Sequence, residues 1–130
     1  MIRALLLAAA VATPAPVSIP LKSLDATSAG QPIVLPQGPI RVTVSETIVP
    51  AHGAIPAHKH PYPRYVYVAE GQLRVTNLVT GQVYELKTGD LSADPADQWH
   101  KAEALGEGPV RLIALDQAPP GAATTIRRDP

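Results

Sequence analysis

The sequence predicts an all-β fold, a single antiparallel jelly roll or β-barrel, on three observations. Short stretches alternate apolar and polar residues with a period of two, and each stops at a turn of glycine, proline or aspartate. Fifteen prolines and nine glycines fall mainly between those stretches, as strands joined by tight turns require and long helices forbid. No segment sustains a helical period. A chain of 130 residues with one such region suits one domain with its own core.

The elements follow in order. Arg3, the apolar run Ala4 to Ala12 and the small-x-small triplet Ala10-Val11-Ala12 read as a signal peptide over residues 1–12, so a periplasmic or secreted protein is expected. That run is too short to span a bilayer. Residues 13–39, rich in Pro, Ser and Ala, read as an extended arm with one short edge strand. The barrel is expected over 40–117. Its strands are Ile40 to Val49, Tyr65 to Ala69, Gln72 to Asn77, Gln82 to Leu86 and Pro109 to Leu115, with the histidine segment and a short stretch from Leu91 between them. Seven or eight strands at intervals of roughly ten residues favour closure into a barrel or jelly roll, which protects sheet edges and encloses a pocket. Residues 118–130 read as a tail, either disordered or lying across a partner.

Composition narrows the function. Eleven Lys and Arg balance eleven Asp and Glu, and Arg127-Arg128 is too short for a basic stripe, so nucleic acid is not an expected partner. The apolar residues are Ala, Val, Leu and Ile, with no Phe and one Trp. Cysteine is absent, which removes disulfides and thiolate ligands together. Imidazole and carboxylate are then the strong ligands available.

His58 and His60 stand two apart, so on a strand both rings leave the same face, with Cα atoms roughly 6.5–7 Å apart. Two rings so placed can converge on one ion. The candidates are zinc, copper, nickel, manganese and iron, and the residue types do not choose among them. His52 reads as a loop residue.

Gly53 to Gly71, GAIPAHKHPYPRYVYVAEG, resembles the first motif of the cupins, G-x5-H-x-H followed by glutamate and a later glycine. Gly89 to Ala104, GDLSADPADQWHKAEA, resembles the second, G-x5-P-x-G-x2-H-x3-N. The resemblance covers about half the chain and implies a small RmlC-like barrel in which His100 joins His58 and His60 on a metal. One residue is missing between Gly53 and His58, Asp97 stands for the second motif's glycine, and Ala104 for its asparagine. The largest departure is Arg64, at the position of the glutamate that completes the ligand set.

A guanidinium has no lone pair to offer a cation. About 5 Å from a divalent ion it is repelled by roughly 7 kcal/mol at an effective dielectric near 20, an upper bound. Three alternatives stay open. Arg64 turns aside to a carboxylate, with Glu85, Asp94, Asp97 and Glu103 as candidates; an anion sits between it and the ion; or no metal binds and the pocket is purely cationic.

Three histidines alone leave coordination positions open, the arrangement of a catalytic site. Cupins with histidine-only ligands include dioxygenases, so the resemblance allows an oxygenase acting on a small anionic or enolisable molecule, with Arg64 orienting its anionic end. The other reading is a non-catalytic pocket for a small anion or sugar, anchored by Arg64. Tyr62, in a proline-bracketed loop, is a candidate hydrogen-bond donor at the barrel mouth. Gln98 shares the parity of His100 and is a candidate hydrogen-bond partner behind it, while Trp99 should point away from the ion. Parity makes Val66, Val68, Leu73, Val75, Asn77, Leu112 and Ala114 the expected lining. A small-molecule ligand and a homodimer complete the expected partners.

Overall fold

The computed structural model describes residues 10–128, so most of the expected leader lies outside the described residues. Among these residues there are nine strands. The strands are β1 (Arg41–Val49), β2 (Ala54–Lys59), β3 (Arg64–Glu70), β4 (Gln72–Asn77), β5 (Val83–Lys87), β6 (Leu91–Ala93), β7 (His100–Leu105), β8 (Val110–Ala118) and β9 (Ile126–Arg127). They form two sheets, ordered β1-β8-β3-β6 and β5-β4-β7-β2-β9, with every strand pair antiparallel. No helix among the described residues is long and apolar enough to cross a membrane.

The alternation of the sequence becomes the two faces of each sheet. On β4, Leu73, Val75 and Asn77 are buried while Gln72, Arg74 and Thr76 are more open. On β8, Val110, Leu112, Ala114, Asp116 and Ala118 turn inward. The buried cluster between the sheets is built from Val66, Val68, Leu73, Val75, Val110 and Leu112 with small alanines. Side chains of this size do not fill the space between two sheets, and a cavity of about 640 Å³ remains, within the range of small-molecule sites. Val66, Leu73, Val75, Leu112 and Ala114 line it, as parity indicates. Val68 and Asn77 are fully buried but do not border it.

Two backbone positions explain the punctuation. Gly71 joins β3 to β4 at φ +88°, and a Cβ there would sit 2.6 Å from the Pro109 carbonyl oxygen. Only glycine tolerates both conditions. Asp97, at the glycine position of the second motif, adopts φ 54°, a left-handed conformation that aspartate accepts more readily than most residues.

The segments on either side of the two sheets pack against them. Ala26 and Pro32 form an isolated bridge in the arm, and Ser28 N–H donates to the Ala93 carbonyl. The segment after Ala118 returns to its own molecule: Ile126 and Arg127 pair with Lys59 and His58. Arg128 N–H also donates to the Ala57 carbonyl.

Candidate metal centre

Two of the three histidines come from adjacent strands of one sheet, and the third follows directly on one of them. His58 on β2 stands in register with His100 on β7, and His60 follows two residues on, just past the end of β2. Their ring centroids are 4.4–5.2 Å apart. One ligand atom of each lies within 4.8 Å of the others. His60 and His100 are almost completely buried, and His58 is half-buried at the cavity wall.

The tautomers are fixed by the backbone. His58 Nδ1 lies 2.7 Å from the Pro56 carbonyl, His60 Nδ1 2.9 Å from that of Thr124, and His100 Nδ1 2.8 Å from that of Gln98. A carbonyl oxygen only accepts, so each Nδ1 carries the proton and each neutral ring keeps its lone pair on Nε2. His60 Nε2 and His100 Nε2 are buried with no hydrogen-bond partner in the protein. Buried polar atoms normally have one. Converging, oriented, unpartnered imidazole nitrogens are the donor set a divalent transition metal takes, and outer carbonyls that lock the rings are its usual support. The residues present therefore fit the ion.

Electrostatics keep these rings in the ligating form. Burial lowers the pKa of all three; His60 is pushed down to about 3, by burial first and the Arg64 charge second. Asp94 lies beside them, its Oδ2 3.4 Å from His60 Nε2 and 3.9 Å from His100 Nε2. Burial raises its carboxyl to about 6.

Arg64 sits on the inner wall, as its register requires, and borders the cavity. Its charge is taken up by Asp116: Nε donates to Oδ1 at 2.7 Å and Nη2 to Oδ2 at 2.6 Å. The first of the three alternatives is thus the one the geometry adopts, with a different partner. Glu85 and Glu103 bond Arg74 on the outer face, Asp97 pairs with Lys59, and Asp94 faces the histidines.

Tyr62 and the Gln98 side chain lie elsewhere than expected, whereas His52 is the loop residue it was expected to be. Tyr62 borders a second, smaller cavity between its loop and the arm, beside Thr27 and Ile33, and not the histidine cavity. Gln98 serves His100 through its backbone carbonyl, while its side-chain oxygen accepts from Asn77. Trp99 is half-buried beneath Lys59 and Arg128. His52 is an exposed turn residue beside Glu107. Sequence reasoning missed Asp116, whose inward parity with Leu112 and Ala114 was the available signal. It also missed Thr125 and Arg127, which border the cavity from the returning tail and carry no local pattern.

The family model described as Cupin domain matches residues 45–116. No curated protein sequence matches the chain. Among solved structures, a double-stranded β-helix protein from Klebsiella pneumoniae is 23% identical, with 68% of this chain and 76% of that one covered at TM-score 0.55. An oxalate decarboxylase from Lactobacillus farciminis, solved as a formate complex, is 18% identical at TM-score 0.59; 66% of this chain is covered but 26% of that one. A polyketide cyclase from Streptomyces resistomycificus is 19% identical, covering 68% and 63% at TM-score 0.56. At these identities the likeness is one of fold.

Proposed function

The chain belongs to the cupin domain family, and from that premise we propose an exported protein that holds one divalent transition metal on His58, His60 and His100. It acts on a small anionic or enolisable molecule, with oxygenase-type chemistry as the reaction class. The observation that carries the reading is the convergence of three oriented imidazoles, two with Nε2 buried without a protein partner, at the wall of the cavity between the sheets.

The chemistry such an ion supplies is Lewis-acid polarisation of a coordinated enolate or carboxylate, or dioxygen activation where the ion is redox-active. The chain's own residues do the rest. Carbonyls of Pro56, Thr124 and Gln98 hold the rings. Val66, Leu73, Val75 and Leu112 keep bulk water from the substrate's apolar part. Ser45, Thr47 and Thr125 offer hydroxyls to its polar end, and Arg127 brings a positive charge to the cavity from the tail. Arg64, neutralised by Asp116, is a weak anchor for an anion, so a metal-free anion trap built on Arg64 loses its main support. The names of the oxalate-acting and polyketide-cyclising neighbours agree with a small carboxylate or an enol.

Metal analysis of the purified protein tests this reading. About one equivalent of transition metal is expected, lost in His58→Ala, with a melting temperature that falls in chelator. Metal-free protein whose stability ignores both chelator and added Mn2+, Fe2+ or Zn2+ would sink it. Oxygen uptake with a panel of small carboxylates and diketones then tests the reaction class.

A further inference from the structure

The glutamate of the first cupin motif is absent, yet a carboxylate still reaches the histidines from a different strand. Arg64 and Asp116 are register partners on β3 and β8. On the other side of β3, Tyr65 is the register partner of Ala93, and Asp94 N–H donates to the Arg64 carbonyl. Asp116 on β8, Arg64 on β3 and Asp94 just past the end of β6 thus form one row of neighbours. Two carboxylates and one guanidinium sum to a single negative charge, the charge of the one glutamate the motif lacks.

Geometry separates the two aspartates. Asp116 spends both oxygens on Arg64. Asp94 Oδ2 faces His60 Nε2 and His100 Nε2 at 3.4 and 3.9 Å. Those two nitrogens present lone pairs and have no donor near them. Asp94 thus stands beside two of the three histidines, outside the trio whose ligand atoms all lie within 4.8 Å of one another, and a carboxylate oxygen this close to two lone-pair nitrogens suits a cation held among them. Both separations fall inside the 4.8 Å within which the three histidine ligand atoms lie of one another.

We propose that Asp94 is the carboxylate ligand of this centre, moved one strand over from the motif position, and that the Asp116–Arg64 pair fills the vacated place. The inference rests on the three-histidine reading above, and its test separates the two. Co2+ binding is measured by titration and by the visible spectrum of the bound ion for the full chain, Asp94→Asn, Asp94→Glu and His100→Ala. His100→Ala should lose the site. Asp94→Asn should bind about tenfold or more weakly with shifted ligand-field bands, and Asp94→Glu should recover part of both. If Asp94→Asn keeps the wild-type bands and affinity while His100→Ala loses the ion, the ligand role of Asp94 is wrong and the histidine site stands. If the unaltered protein takes up no Co2+, both fall. Circular dichroism in chelator confirms that each variant is folded, and Asp94→Glu carries the test should Asp94→Asn not fold.

Discussion

Arg64 and Asp116 face each other across β3 and β8 in a two-pronged ion pair, with Asp116 buried and Arg64 largely so. Burying two charges is costly, but removing one partner is worse because it strands the other. Asp116→Ala should therefore lower stability by about 3–5 kcal/mol, measured by urea unfolding in chelator. The sequence alone suggests that Arg64→Glu would restore a missing ligand and tighten metal binding. The structure reverses that expectation, since three carboxylates would then share one row. Arg64→Glu should unfold at lower urea and bind metal no more tightly. A variant of unchanged stability would mean that the pair contributes nothing.

Acidification of the metal-free protein should destabilise it. The folded pKa of His58, His60 and His100 lies below 6.5, so on descending from that pH the unfolded chain takes up protons that the folded chain refuses. Asp94 works in the opposite sense: with its carboxyl raised to about 6, the folded state holds a proton between pH 6 and 3.8 that the unfolded state lacks. Three imidazoles outweigh one carboxyl. The melting temperature in chelator should fall between pH 7 and 4.5, and more steeply in Asp94→Asn, which lacks the opposing proton. A flat or rising profile would contradict the assignment of buried neutral rings.

Strands with strong local contrast were legible in the sequence. Alternation and flanking turns are local signals, and they locate Gln72–Asn77 to the residue and the first strand to within one. β7 carries a weak strand signal, since the inward His100, Ala102 and Ala104 are small or polar and none is β-branched. The convergence of His58 and His60 followed from strand parity, whereas the place of His100 needed the motif. Neither Asp116 nor the tail at Thr124 announces its partner locally. Their contacts, 52 and 64 residues away in sequence, come from strand pairing.

Asp97 tests how the second motif tolerates the loss of its glycine. At φ 54° a side chain with Cβ is strained unless it can bond locally or carries another contact. The Asp97 carboxylate lies 2.6 Å from Lys59 Nζ, but its side chain is 65% exposed, so the ion pair adds little. Asp97→Gly should thus change stability by no more than about 0.5 kcal/mol, while Asp97→Ala should cost about 1 kcal/mol. Equal losses in the two variants would assign the effect to the Lys59 contact and not to the backbone.

The tail should matter to the metal more than to the fold. β9 is two residues long and pairs only with the end of β2, so its removal leaves both sheets with their main pairings intact. It does remove the Thr124 carbonyl that holds His60 Nδ1, together with Thr125 and Arg127 at the cavity. Without that carbonyl the His60 ring can rotate or exchange tautomers, and outer contacts of this kind are worth about 10–100-fold in metal affinity. A chain ending at Ala123 should keep its circular dichroism spectrum and bind Co2+ 10–100-fold more weakly. Replacing Thr124 by Ala in the full-length chain should leave affinity nearly unchanged, because the bond comes from the backbone. Equal loss in both variants would move the role from the carbonyl to the Thr124 side chain, and no loss in either would leave His60 held by the barrel alone.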